Sequence, residues 1–157
     1  MRQYCLGFRY DHDGVVLIRK SKPAWQAGLY NGIGGTIQAN EAPVDAMCRE
    51  FHEETGILTA WHEWDHIGIL RGHGWVMHVY SSYGGHNGLI PECDEGRVEV
   101  CKDLPVNMEQ SAGWLVRYAL DHSVSQTTFE GHQRTVLPAQ FSPLPSNIDM
   151  QSGARLT

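Results

Sequence analysis

The chain has no lysine- or arginine-rich run: 12 Lys and Arg stand against 18 Asp and Glu, for a formal net charge of −6. That argues against general binding to nucleic acid through a basic surface. No apolar run of about 18 residues occurs, and the N-terminus, MRQYCLGFRYD, has no apolar signal core. The protein is therefore expected to be neither secreted nor membrane-spanning. The four cysteines (Cys5, Cys48, Cys93, Cys101) form no CxxC pair, so a zinc site or disulfide framework is not expected. Reduced thiols and a cytoplasmic location are the simpler reading. Nine histidines are present, and none forms HxH. There is no internal repeat. At 157 residues, 41% hydrophobic and 19% charged, the chain suits one globular domain with a proper core.

The residues that are present fall into a clear order. Residues 3–10 and 15–20 read as strands joined by Asp11-His12-Asp13-Gly14, and residues 21–32 read as a loop punctuated by Pro23, Gly28 and Gly32. A short Gly-rich extended piece covers 33–37. A helix is expected over about 43–55, with Pro43 in its first turn and Gly56 at its C-cap. Strands over 62–70 and 75–82, a loop over 84–96, a strand over 97–102 and a helix over 108–121 complete the pattern. Trp114, Leu115, Tyr118 and Ala119 make one face of that second helix, and Trp114 is read first as core. From Phe141 the composition is that of a poorly ordered tail.

The first helix carries the chemistry. Val44, Met47, Cys48 and Phe51 recur at helical spacing and form an apolar stripe. Glu50, Glu53 and Glu54 lie at i, i+3 and i+4, within a sector of about 100°. Three like charges on one face repel, an arrangement that makes sense around a hard cation such as Mg²⁺ or Mn²⁺. Arg49, four residues before Glu53, can pair with it. A bare ExxEE is more often a solvated helix face, so the surrounding residues decide.

Gly35, Glu41, Arg49, Glu50, Phe51, Glu53, Glu54, Gly56 and Ile57 occupy every specified position of G-x5-E-x7-R-E-U-x-E-E-x-G-U, where U is bulky and aliphatic or aromatic. With this pattern the chain resembles the Nudix (MutT-like) hydrolase family. The resemblance implies an α/β (α+β type) Nudix fold, a mixed β-sheet sandwiched between helices, over residues 1–140, with 141–157 outside it. It implies divalent-metal-dependent hydrolysis of a nucleoside diphosphate linked to another group, with Mg²⁺ as cofactor and Mn²⁺ as a substitute. Glu50, Glu53 and Glu54 would be metal ligands and carry catalysis with Arg49, which orients them. The Gly34 carbonyl would add a ligand. Glu41 would brace the loop, Gly56 would be structural, and Gly35, which opens the pattern, would border the substrate. A later carboxylate often joins such a site: Glu95 is the first choice, ahead of Glu92 and Asp94.

Substrate markers lie outside that pattern. Residues 72–75, Gly72-His73-Gly74-Trp75, lack the proline and tyrosine that mark ADP-ribose and dinucleoside polyphosphate branches. Asn31-Gly32-Ile33-Gly34-Gly35 instead resembles the branch acting on oxidised purine nucleoside triphosphates. There Asn31 would contact a purine edge; alternatively it fills a turn position tolerant of positive φ. Trp25 would stack on a base or pack in the core, and Asn107 to Trp114 resembles the segment that closes over the base. The expected reaction is water attack on a nucleotide phosphoanhydride, giving a nucleoside monophosphate and pyrophosphate. Hydrolysis of nucleotide sugars or other substituted diphosphates, and a non-catalytic nucleotide sensor, are the alternatives. The expected partner is a small nucleotide, with no nucleic acid and no membrane, and a monomer or homodimer.

Overall fold

A computed structural model describes residues 1–121 and the backbone of 130–132. The tail assigned to 141–157 and the domain limit at 140 lie outside the described residues.

β1 (Arg2–Asp11) and β2 (Gly14–Lys20) form the expected hairpin, but they pair only at Tyr10↔Val15 and Asp11↔Gly14. Beyond that the strands part. The fork between them is bridged by one segment: β3 (Tyr30–Asn31) pairs with β2, and β4 (Ile33–Thr36) pairs with β1. β5 (Asp65–Gly72) and β6 (Trp75–Tyr83) form the next hairpin, and β6 runs parallel to β1 from Arg2↔Trp75 to Tyr10↔Tyr83. β7 (Glu92–Cys93) turns back on β8 (Gly96–Cys101), which pairs with β2 along its length. β9 (Glu130–His132) adds a parallel edge to β5. The result is a mixed sheet in the order β7-β8-β2-β1-β6-β5-β9.

Strand alternation builds two cores. Cys5, Val16, Ile18 and Tyr80 face one side and pack with Met47, Phe51 and Trp64. Leu6, Phe8, Val15, Leu17 and Val79 face the other and pack with Leu115 and Val116. Each core is closed by one helix: α1 (Pro43–Thr55) on the first side and α2 (Gln110–Ala119) on the second. The expected sandwich of a mixed sheet between helices is therefore observed.

α1 has the expected bounds. Pro43 sits at its start, where its missing N–H costs nothing, and Gly56 ends it at φ 77 with its N–H on the His52 carbonyl at 2.8 Å. The second helix is shorter than expected. Glu109 is its N-cap: the buried carboxylate accepts from the Ala112 N–H at 3.0 Å and the Ser111 hydroxyl at 2.6 Å, so the helix begins after it. Two regions read as loops each contain a two-residue strand, β3 and β7. A short 3₁₀ turn, Trp61–Glu63, was not expected; Glu63 accepts from the Ala60 N–H at 2.6 Å and holds it.

Phe51 is fully buried and meets Trp64 edge-on at 5.2 Å between ring centroids. Phe51→Ala is expected to lower stability by about 3–5 kcal/mol in urea unfolding, through lost burial and the cavity left under α1. A loss under about 1 kcal/mol would mean that α1 does not close this core.

Candidate active site

The fork between β1 and β2 opens into a cleft of about 1100 Å³. Its floor is the bridging segment from Asn31 to Thr36, one wall is the end of α1, and the other is formed by Lys20, the turn after it and the loop 92–95. Leu6 and Met77 add apolar lining. The topology thus brings the α1 glutamates, the Asn31–Gly35 segment and the late carboxylates into one cavity.

Arg49 organises the acidic wall. Its Nε and Nη2 grip both Glu41 oxygens, at 2.7 and 3.0 Å, and Nη2 also donates to the Thr36 carbonyl at 3.0 Å. Nη1 donates to Glu50 at 2.8 Å and Glu53 at 3.2 Å. Glu41 in turn accepts from the Gln38 N–H at 2.9 Å, so it braces the loop as expected. Its carboxyl is held below the usual range, chiefly by the Arg49 hydrogen bond. The Glu50 carboxylate lies across Gly35. A Cβ at that position would stand 2.4 Å from the Glu50 carboxyl carbon, so any side chain there would displace the Glu50 carboxylate from its place beside Arg49.

The three glutamates occupy unlike surroundings. The Glu53 side chain is 56% exposed and that of Glu50 14%, and Glu54 is 5% exposed. Glu54 falls on the buried face of α1, beside Phe51, rather than on a solvated one. Burial, reinforced by the charges of Glu50 and Glu95, pushes its carboxyl up to about 8 against the pull of Lys20. Burial also raises Glu50, opposed by Arg49. Glu54 Oε2 is buried without a hydrogen-bond partner. An orphaned carboxylate oxygen beside two further carboxylates is the donor set of a hard divalent cation, so these residues fit such an ion.

The remaining expected residues divide. Asn31 and Gly34 line the cleft. Asn31 pairs with Ile18 in β3, and the sole non-glycine residue at positive φ among the described residues is Asn40. The turn explanation for Asn31 therefore does not hold. Glu95 reaches the cleft with Glu92 and Asp94, but its oxygens are taken by Lys20 at 2.8 Å and Lys22 at 3.5 Å. Burial opposes its ionisation; the two lysines outweigh that and hold its carboxyl below the usual range. Trp25 is half-buried and does not line the cleft. In the turn after Lys22, Gln26 donates its N–H to the Pro23 carbonyl at 2.9 Å, which puts residues 23 and 26 on one side. Pro23 and Gln26 line the cleft instead. Trp114 is half-buried against the α2 core, also outside the cleft.

The family model described as NUDIX domain matches residues 4–118. The chain belongs to the NUDIX domain family. No curated protein sequence matches it at a significant level. Solved Nudix structures share its fold. A MutT protein from Bacillus halodurans is 23% identical, with a TM-score of 0.71 over 90% of this chain and 94% of its own. A NUDIX hydrolase from Nitrosomonas europaea is 16% identical, with a TM-score of 0.69 over 85% of this chain and 79% of its own. A bifunctional NMN adenylyltransferase/ADP ribose pyrophosphatase from Francisella tularensis, complexed with AMP and a manganese ion, is 14% identical, with a TM-score of 0.63 over 76% of this chain and 41% of its own.

Some features of this Nudix hydrolase were missed in the sequence. Lys20 lines the cleft, although it reads as the end of a strand. Among the described residues, the one compact group of three ligand-type side chains is Asp11, His12 and Asp13, read earlier only as a turn. It lies at the β1–β2 hairpin tip, and His12 and Asp13 there are exposed.

The buried glutamate sets a pH dependence. In the metal-free protein Glu54 keeps its proton to about pH 8, whereas its ordinary value is near 4.5. Between those values the native state binds more protons than the unfolded chain, so stability falls as pH rises. Glu54→Gln cannot ionise and removes that slope. In thermal unfolding with EDTA, wild type is expected to lose on the order of 1–3 kcal/mol relative to Glu54→Gln between pH 5.5 and 8. Parallel profiles would show that Glu54 is ionised throughout.

Proposed function

We propose that this Nudix hydrolase is a divalent-metal-dependent nucleotide pyrophosphohydrolase. In this reading it acts on a nucleoside di- or triphosphate and releases a nucleoside monophosphate, with pyrophosphate when the substrate is a triphosphate. The observation that carries the reading is Glu54 Oε2, buried and unpartnered in the wall of a cleft it shares with Glu50 and Glu53. Glu50, Glu53, Glu54 and the Gly34 carbonyl are the groups that would hold Mg²⁺, or Mn²⁺ in its place. When bound, the ion would neutralise phosphate charge and lower the pKa of a water.

The chain's own residues supply the rest. Arg49 keeps Glu50 and Glu53 aimed despite their repulsion. Glu41 locks the loop over which the phosphates would lie. Glu53, the most exposed of the three, is the carboxylate most accessible to a water proton. Asn31 supports a purine substrate, including oxidised or non-standard nucleotides. Its Oδ1 accepts from the Gly32 N–H at 2.8 Å, which leaves its NH₂ as a donor to a base acceptor.

A nucleotide panel with Mg²⁺ or Mn²⁺ and product identification tests the reading. Turnover is expected to need the metal, and Glu53→Gln and Glu54→Gln are each expected to lower kcat by about 100-fold or more. Unchanged rates in both variants would sink the assignment. No phosphate or pyrophosphate release from any nucleotide would leave a sensor as the better account of the cleft.

A further inference from the structure

Lys20 ends β2 and is drawn into the cleft, its side chain only 12% exposed. Its Nζ donates to Glu95 Oε2 at 2.8 Å, and the Lys22 Nζ lies 3.5 Å from the other oxygen. Glu95 itself is fixed. Its carbonyl accepts from the Ser21 N–H at 2.9 Å, and the next residue, Gly96, pairs with Lys20 in the β2–β8 ladder. Lys20 also acts on Glu54: its charge favours the ionised carboxylate while that of Glu95 disfavours it, so all three groups are neighbours in one field. The ammonium is bonded to the carboxylate at the rim, 38% exposed, and not to the buried one, whose Oε2 has no partner.

A second arrangement is therefore available to Lys20. An ammonium carries three donors, and a buried carboxylate oxygen without a partner is costly. Turning Lys20 toward Glu54 would satisfy that oxygen and cancel its charge. It would also put a fixed cation where the proposed metal is to bind.

We infer that Glu95 is a positioning residue: by pairing with Lys20 it holds that ammonium off Glu54 and keeps the buried carboxylate open for a divalent cation. Glu95 is not itself a metal ligand in this arrangement. Lys22 supports it by engaging the second oxygen. The inference rests on the reading of Glu54 as a metal-holding group, and it makes a prediction that a direct ligand does not: removing Lys20 should repair the loss of Glu95.

Mn²⁺ binding to the substrate-free protein, followed by electron paramagnetic resonance, reads this without turnover. Glu95→Gln is expected to weaken Mn²⁺ binding by about tenfold. Lys20→Met alone should bind at least as tightly as wild type, and the double variant should return to within about twofold of Lys20→Met. A double variant as weak as Glu95→Gln would make Glu95 a ligand and overturn the inference, as would wild-type affinity in Glu95→Gln. The Lys20→Met arm needs no change at Glu95, so a loss of about tenfold there overturns it even if Glu95→Gln misfolds. Glu54→Gln separates the two readings. If it binds Mn²⁺ as wild type does, the reading of the cleft falls and takes the inference with it.

Discussion

Arg49 is the constraint on which the site depends. A guanidinium has five N–H donors in a rigid plane, and here they meet five acceptors: two on Glu41, one each on Glu50, Glu53 and the Thr36 carbonyl. These acceptors lie on both sides of the loop between β4 and α1. One side chain thus pins the loop to the helix and offsets the repulsion among the carboxylates. Lysine has no planar fork and cannot grip Glu41 through two parallel bonds while reaching α1. At 24% exposure the Arg49 side chain is partly screened, so its contribution is geometric before it is energetic.

The fold makes that geometry possible by leaving β1 and β2 unpaired over most of their length. A continuous ladder between them would close the space that the Asn31–Thr36 segment fills. Because they pair at two positions only, β1 can accept β4 on one edge and β6 on the other. Its alternating side chains still feed both cores, Cys5 to the α1 side and Leu6 and Phe8 to the α2 side. The cleft is thus a consequence of sheet topology, and the α1 core holds the acidic wall against it.

What was legible in the sequence is what local physics encodes. The bounds of α1 follow from Pro43, Gly56 and a helical apolar period, and the Arg49 network follows from spacings of one, four and eight residues. What escaped depends on distant partners. β3 and β7 are two residues long and exist only because β2 and β8 pair with them. Glu109 reads as one more helical residue until its cap bonds are seen. Helical periodicity places Glu54 on a face, but it does not say that the neighbouring space excludes water. The same holds for Glu95: its lysine partners are 73 and 75 residues away, and no local pattern announces them. Trp25, read as stacking on a base or packing in the core, does not line the cleft; the turn presents Pro23 and Gln26 there.

The charge balance of the cleft argues what kind of substrate complex it can admit. Among the described residues lining it, Glu50, Glu53, Glu54, Glu92, Asp94 and Glu95 carry carboxyl groups, and Lys20 is the one Lys or Arg side chain. Lys20 is bonded to Glu95, and the donors of Arg49 are fully occupied by its own partners. A phosphate chain entering alone would meet an excess of like charge on a molecule already at −6. It becomes an acceptable guest only when accompanied by cations that neutralise both it and the glutamates. The carboxyl that resists ionisation most, Glu54, is also the most enclosed. In the proposed reading, metal arrival and proton departure would be coupled at that one side chain, which would make an acidic cleft for an anionic substrate self-consistent.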